Sequence, residues 1–128
     1  MSSPTVAILV RTKGRPRFLS RALENIAQQT FTDYTVCVIN DGGDEQATRA
    51  VIEASPLGSG RVQLLTTAGG NMEAASNAGL AATTSEYVAI HDDDDLWAPE
   101  FLERTVAALE ESGALMCTTR VVERYERK

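Results

Sequence analysis

Residues 5–16 of the chain read Thr5-Val6-Ala7-Ile8-Leu9-Val10-Arg11-Thr12-Lys13-Gly14-Arg15-Pro16. The first six form a nearly continuous apolar run, which is typical of a strand buried on both faces in a parallel sheet. A short basic loop follows, and Pro16 suits the first turn of a helix. Apolar residues then recur at helical spacing, which predicts a helix from Pro16 to about Gln29 with one face on the sheet.

The same strand-and-helix unit recurs along the rest of the chain. Further strands are predicted at residues 34–39, 62–65 and 87–91, and further helices at residues 45–54, 72–82 and 99–112. Residues 55–60 are predicted as a surface loop, and Ala114 to Thr118 as a fifth strand that extends toward Val121 and Val122. The alternation indicates one α/β domain over residues 1–128, with an open, mostly parallel sheet of order near 3-2-1-4 and helices on both faces.

Composition places the chain among soluble globular proteins. With 128 residues it can bury roughly two-thirds of its unfolded surface in one domain. Its formal net charge of -6 argues against nucleic acid as a partner, because phosphate binding needs a basic face. The only two cysteines, Cys37 and Cys117, fall in predicted strands, which favours small buried side chains in a reducing compartment.

The sequence shows no predicted membrane anchor. No apolar run approaches the roughly 20 residues that span a bilayer, and no basic-then-apolar leader stands at the N-terminus. We therefore expect a cytoplasmic protein without a transmembrane segment, with peripheral attachment to the inner membrane as the alternative.

Polar clusters follow three of the predicted strands. They are residues 11–15 after the first strand, residues 40–44 after the second and residues 92–95 after the fourth. In an open parallel sheet the carboxyl ends of the strands share one edge, and ligands bind there at the switch in strand order. An order of 3-2-1-4 makes the first and fourth strands neighbours, so we expect the three clusters to meet in one crevice.

The third cluster consists of four consecutive aspartates, Asp92 to Asp95. At 4 Å two like charges repel by roughly 1 kcal/mol in water and roughly 4 kcal/mol at an effective dielectric of 20, so the cluster needs a counter-charge. Hard oxygen donors favour Mg2+ or Mn2+ bridging to a phosphate. An extended backbone would point Asp92 and Asp94 to one side, so that these two could share one ion. The alternative is a solvated acidic loop that also caps the next helix.

The ordered motifs resemble those of one known family. They are residues 6–16, Gln29-Thr30-Phe31, Asn40-Asp41-Gly42-Gly43-Asp44, Asn77-Ala78-Gly79-Leu80, Glu86-Tyr87-Val88 and residues 92–99. This set looks like the family 2 glycosyltransferases, whose GT-A fold is Rossmann-like, over about Thr5 to Leu109. The resemblance implies inverting transfer of a sugar from a nucleoside-diphosphate donor, most often a UDP-sugar, with a divalent cation (Mn2+ or Mg2+). It also implies a saccharide or lipid-linked acceptor.

Carried over by position, the resemblance assigns roles to individual residues. Asp41 would contact the base, and Arg11, Thr12 and Lys13 would line its pocket. In the Asp-x-Asp motif, Asp92 or Asp93 would reach the ribose. Asp94 would hold the metal, with Asp92 as the second candidate ligand.

Two of the chain's departures from the family pattern bear directly on its function. Arg11 replaces a usual Pro, and Lys13 and Gly14 replace a Tyr-Asn pair, so a cationic side chain stands where an aromatic ring often stacks on the base. Family domains also run to about twice this length, and their second half supplies the acceptor site and the general base. We therefore name no catalytic base, and expect either a truncated donor-binding half or completion by a second chain.

Several alternatives remain open. A module of the same fold could bind a nucleotide-sugar without turnover. A phospho-acceptor signalling domain is a weaker hypothesis, because Arg11 stands where that design needs an acidic pair. His91 could be an extra ligand, but a neutral, hydrogen-bonded residue at the strand end is the preferred interpretation. Lys13 and Arg15 could form only a solvated basic loop.

Overall fold

The computed structural model describes residues 4–69 and 71–117. Four strands alternate with helices along the chain. The elements are β1 (Val6–Thr12), α1 (Pro16–Ala27), β2 (Tyr34–Asp41), α2 (Glu45–Ala54), α3 (Gly58–Arg61), β3 (Val62–Thr67), α4 (Met72–Ala82), β4 (Tyr87–Ile90) and α5 (Phe101–Ser112).

The four strands form one parallel sheet in the order β3-β2-β1-β4, which confirms the predicted topology. β1 lies between β2 and β4, and its first residue, Val6, pairs with Tyr34 on one side and Tyr87 on the other. Apolar runs in β1 and β2 explain their central position, because both faces of an interior parallel strand are covered. The switch in strand order falls between β1 and β4.

Alternate side chains of β1 and β2 face two separate layers. Val6, Ile8 and Val10 of β1 lie in the larger apolar cluster, which the apolar faces of α1 and α5 complete. Leu9 of β1 lies in a smaller cluster on the opposite face, where Ala75 of α4 covers it. Helices therefore cover both faces of the sheet, as the sequence predicts. Across the described part of the chain, no helix has the length and apolar character that a membrane span requires.

Helix α4 approaches the sheet closely at Gly79. A Cβ atom at this position would lie 2.8 Å from Ile39 Cδ1 and 3.1 Å from Leu9 Cδ2. We therefore expect Gly79→Val to destabilise the fold by about 1–3 kcal/mol through overpacking, which exceeds the few tenths gained in helix propensity. Urea denaturation measures the difference. The matched control is Gly60→Val, because a Cβ at Gly60 meets no atom within 4 Å. Equal losses in the two variants would contradict this packing account.

The predicted fifth strand is wrong for the residues that the structure describes. Residues 114–117 are irregular, and Leu115 and Met116 are largely solvent-exposed. An apolar run becomes a strand only when a neighbouring strand completes its backbone hydrogen bonds, and the sheet formed by the described residues includes no strand from this run. Cys117 is therefore not in a strand, whereas Cys37 is buried in β2 as predicted. Thr118 and the Val121–Val122 extension lie outside the described residues.

Smaller differences concern element boundaries. Residues 58–61 form a short helix that overlaps the end of the predicted surface loop, and α1 ends at Ala27 instead of Gln29. The last helix begins at Phe101, not at Pro99, because a turn closed by the Phe101 N–H and the Ala98 carbonyl precedes it. Helix α2 begins as predicted, where the Asp44 side chain accepts hydrogen bonds from two backbone N–H groups of its first turn.

Candidate functional site

A cleft of about 300 Å³ lies at the carboxyl edge of the sheet. Its lining residues come from the ends of β1, β2 and β4 and from α4. They are Arg11, Thr12, Lys13, Arg15, Asp41, Ala75, Asp92, Asp93 and Asp94. The structure thus brings together every residue that the sequence predicts for nucleotide-sugar and metal binding. Asp41 in particular shares one pocket with the acidic run, which is the juxtaposition that the functional hypothesis requires.

The acidic run is not extended. The Asp95 N–H donates to the Asp92 carbonyl at 3.0 Å, and the Asp92 N–H donates to Asp95 Oδ2 at 3.1 Å. This turn replaces the simple alternation expected of a strand, so Asp92, Asp93 and Asp94 all line the same cleft. The role of Asp95 is to close the turn.

Asp92 has an arginine partner inside the cleft. Arg11 Nε donates to Asp92 Oδ1 at 2.8 Å, and Arg11 Nη2 lies 2.6 Å from the same oxygen. Arg11 Nη1 donates to Ser76 Oγ on α4 at 3.1 Å. The guanidinium is therefore held by β4's acidic turn and by α4, at the end of the strand that carries it.

Asp93 is the most deeply buried of the four aspartates, with 2% of the residue exposed. Thr12 Oγ1 donates to Asp93 Oδ2 at 2.9 Å, and Arg15 donates through Nε to Oδ2 and through Nη2 to Oδ1. The hydrogen bond to Asp93 raises the pKa of Arg15 above its ordinary value. The interpretation of Arg15 as part of a solvated basic loop is therefore wrong, because it forms a two-point pair with a buried carboxylate.

Asp94 is the exposed carboxylate of the cleft. Its side chain is 56% exposed, and its nearest ion-pair partner, Arg15 Nη2, lies 3.9 Å from Oδ2. At that distance and exposure the pairing is weak. Asp94 therefore has oxygen lone pairs directed at solvent, which a cation can coordinate.

Asp41 stands at the opposite wall of the cleft, at the end of β2. Thr67 Oγ1 donates to Asp41 Oδ1 at 2.7 Å, which fixes the carboxylate against β3. The next residue, Gly42, has a φ of 85° and packs against Gly69, so that a Cβ on Gly42 would lie 3.2 Å from the Gly69 Cα. Only glycine fits this approach at this φ, and the chain can therefore turn away directly behind the Asp41 carboxylate.

A second layer of side chains holds the acidic turn in place. His91 is fully buried, with Nδ1 2.8 Å from the Asp92 carbonyl oxygen and Nε2 2.9 Å from Asn25 Oδ1. Burial lowers the pKa of His91, although the carbonyl contact and the nearby carboxylates oppose this shift. Asn25 also exchanges two hydrogen bonds with the backbone of Trp97, whose ring stacks on Phe101. His91 and Trp97 thus have packing roles, in line with the preferred interpretation of His91.

The carboxylates suit a divalent cation whose remaining ligands come from the substrate. Within residues 4–69 and 71–117, no three His, Cys, Asp or Glu side chains are arranged to hold a metal ion. Mg2+ and similar ions commonly bind through one or two carboxylates and take their remaining ligands from water and substrate phosphates. Asp94 and the second oxygen of Asp92 provide such a set.

Sequence reasoning missed three residues that shape the site. Arg15, in the loop before α1, contacts Asp93 directly. Ser76 on α4 holds Arg11, and Asn25 on α1 holds His91, so both act on the acidic turn through a neighbour. The one signal in the sequence was that four consecutive aspartates are more than a single cation can pair with. Because buried carboxylates need partners, some of them had to be paired with basic side chains.

The fold and the site together define a class of protein. An open parallel α/β sheet, with acidic and basic residues gathered at its carboxyl edge beside the strand-order switch, is typical of nucleotide-binding domains. The family model described as Glycosyl transferase family 2 matches residues 7–128. The chain therefore belongs to this family.

Individual relatives and structures agree with this assignment. The chain is 28% identical over 110 residues to the uncharacterized glycosyltransferase alr2836 of Nostoc sp. (strain PCC 7120 / SAG 25.82 / UTEX 2576), which is 86% of this chain and 34% of that protein. The mannosyltransferase PcManGT from Pyrobaculum calidifontis, in complex with GDP-Man and Mn2+, matches with a TM-score of 0.72 and 26% identity over 85% of this chain and 33% of that one. The structure of S. aureus TarS 1-349 in complex with UDP-GlcNAc matches in fold, with a TM-score of 0.72, 20% identity and coverage of 84% and 31%. The chain thus spans about a third of each of these proteins.

Proposed function

We propose that this chain is the donor-binding part of a glycosyltransferase that transfers a sugar from a nucleoside diphosphate with inversion. The observation that carries the proposal is the single cleft that Asp41 shares with Arg11 and the acidic turn. A ligand that suits this cleft has a hydrogen-bonding end for Asp41 and a negatively charged end near basic side chains and a metal ion. A nucleoside diphosphate has both.

The geometry refines the roles that the family resemblance implies. Asp41 is fixed by Thr67, and its other carboxylate oxygen can accept a hydrogen bond from a base. Asp93 has both oxygens engaged with Thr12 and Arg15, so we assign the ribose contact to Asp92. Arg11 and Lys13 line the cleft and suit phosphate oxygens.

Asp94, with Asp92 as second ligand, would hold the divalent cation. When bound, Mn2+ or Mg2+ neutralises negative charge on the departing diphosphate. The protein's own contribution is to hold the carboxylates in a turn fixed by Arg15, Asn25 and His91. The general base and the acceptor site are assigned to no residue of this chain, and a saccharide or lipid-linked acceptor would bind to a further region or a second chain.

We favour a UDP-sugar as the donor because the resemblance implies it most often. GDP-mannose is the competing candidate, because the similar mannosyltransferase PcManGT is described with GDP-Man and Mn2+. The two donors differ in the base that Asp41 would contact, so a comparison of UDP and GDP tests the role of Asp41 in base recognition.

Calorimetry with nucleotides tests the proposal. We expect UDP to bind in the presence of Mn2+ and to bind at least about tenfold more weakly after chelation of the metal, because the cation bridges carboxylate and phosphate. UMP, which lacks the second phosphate, is the matched control and should show little metal dependence. Equal binding of UDP and UMP with and without Mn2+ would contradict the proposal.

Turnover separates the enzyme from the alternative, a non-catalytic binding module of the same fold. Release of sugar from a UDP-sugar or GDP-mannose, measured by chromatography, would establish activity of this chain. Metal-dependent binding with no sugar release would support the binding module for the chain on its own.

A further inference from the structure

The Arg11 guanidinium supplies positive charge next to Asp92 in the cleft. Two of its nitrogens lie within 2.8 Å of Asp92 Oδ1, and the third is bonded to Ser76 Oγ. The side chain of Arg11 is only 18% exposed and that of Asp92 is 30% exposed, so water screens this pair less than a surface pair. Asp92 therefore already has a positively charged partner before any ligand arrives.

This pairing disfavours a divalent cation that arrives alone. A cation that uses Asp92 has to share it with Arg11 or displace it, and it lies near a like charge in either case. Besides Asp92, Asp94 is the one well exposed carboxylate among the described residues that line the cleft, and a single carboxylate is a weak site for Mg2+ or Mn2+.

A diphosphate changes this balance because it supplies a second anion for Arg11. The guanidinium lines the same cleft as Lys13 and the acidic turn, and its bond to Ser76 does not depend on Asp92. With a phosphate oxygen as its partner, Arg11 no longer needs Asp92, and Asp92 becomes available to the cation. The Nε and Nη2 edge of the guanidinium faces Asp92 and Nη1 faces Ser76, so a phosphate that takes this edge displaces Asp92 from it.

We infer that Arg11 couples the two ligands, exchanging Asp92 for a diphosphate so that a divalent cation binds with the nucleotide and not before it. This inference rests on the proposed function and adds the order and linkage of binding. The coupling is reciprocal, so Mn2+ and UDP each raise the affinity of the other by the same factor.

Arg11→Gln tests the exchange because it removes the charge and keeps a hydrogen-bonding side chain. Mn2+ binding is measured by electron paramagnetic resonance on the 128-residue chain, with and without saturating UDP. In the native chain we expect UDP to tighten Mn2+ binding at least about tenfold. In Arg11→Gln we expect Mn2+ alone to bind about tenfold tighter, because Asp92 is free, and the tightening by UDP to shrink by a similar factor.

Two further variants complete the design. Arg49→Gln removes the same charge from an exposed position on α2 and should leave the coupling factor unchanged. Arg11→Lys keeps the charge but loses the planar fork, so we expect a coupling factor between those of the native chain and Arg11→Gln. If Arg11→Gln does not fold by circular dichroism, Arg11→Lys decides, and a native coupling factor in it overturns the inference.

The outcomes separate this inference from the proposed function. A native chain that binds neither UDP nor Mn2+ overturns the proposed function and the inference with it. A native chain that shows metal-dependent UDP binding, together with an Arg11→Gln variant whose Mn2+ affinity without UDP is unchanged or weaker, overturns the inference alone.

Discussion

Replacing Asp94 with alanine is expected to abolish the metal-dependent part of UDP binding while the fold survives. Asp94 has the most exposed carboxylate of those that line the cleft, and its nearest ion-pair partner is 3.9 Å away. Loss of such an exposed side chain changes stability by about 0.5 kcal/mol or less. Loss of a metal ligand should cost at least as much as loss of its supporting contacts, about 100-fold in metal affinity. Calorimetry with UDP, with and without Mn2+, measures the metal-dependent binding, and urea denaturation measures the stability.

An isosteric pair of variants makes the Asp94 test specific. Asp94→Asn and Asp95→Asn remove the same charge from adjacent positions, but Asp95 faces the turn and accepts the Asp92 N–H. We expect Asp94→Asn to lose metal dependence and Asp95→Asn to keep it. Equal losses in both would indicate a general effect of negative charge, and unchanged affinity in Asp94→Ala would contradict a metal-binding role.

The layout of the sheet follows from local sequence patterns. Strands β1 and β2 carry continuous apolar runs because helices cover them on both faces, and such runs predict interior parallel strands. The convergence of Arg11, Asp41 and the acidic run at one edge then follows from strand order alone, without any knowledge of side-chain contacts. This is why the cleft could be predicted from the sequence.

The fate of the aspartates could not be predicted in the same way. Arg11 and Asp92 are 81 residues apart, and Arg15 and Asp93 are 78 apart. A run of carboxylates shows that counter-charges are needed but not whether a metal ion or an arginine supplies them. Two of the four, Asp92 and Asp93, accept hydrogen bonds from arginines, whereas Asp94 has only a distant arginine partner, so the proposed metal ion is assigned mainly to Asp94.

For residues 114–117, which the structure describes, the predicted strand was wrong for a related reason. Its apolar composition satisfied the local rule for a strand, but a strand also needs a neighbouring backbone to pair with. In the described structure residues 114–117 join no strand of the sheet, and the large apolar side chains of Leu115 and Met116 are exposed. Pairing is a tertiary property, and a local pattern does not reveal it.

Replacing Arg15 with methionine is expected to cost about 3 kcal/mol of folding free energy, because it leaves the buried Asp93 carboxylate without its ion-pair partner. Thr12 would then be the one remaining donor among the side chains that contact Asp93. Methionine keeps an apolar stem beside Phe18, over which the Arg15 guanidinium lies at 4.7 Å, so the loss reports on charge more than on packing. Urea denaturation with an unchanged m value provides the measurement.

Replacing the other partner of this pair, Asp93, should cost less stability. Asp93→Asn removes the buried charge and keeps an oxygen that accepts from Thr12, while the half-exposed Arg15 side chain can turn to water. We expect a loss of about 1 kcal/mol, close to that of an ordinary hydrogen bond. The asymmetry arises because the Asp93 carboxylate is buried, whereas the Arg15 side chain is 45% exposed and loses less hydration.

The double variant decides between an ion pair and two independent contributions. If Arg15→Met is costly because it leaves the Asp93 carboxylate without a partner, then adding Asp93→Asn removes that charge. The double variant should then regain about 1–2 kcal/mol of folding free energy relative to Arg15→Met alone. A second substitution in the same buried cluster would otherwise lower stability further. A double variant that is less stable than Arg15→Met would therefore show that the two residues act separately, and that the acidic turn is held mainly by Asn25 and His91.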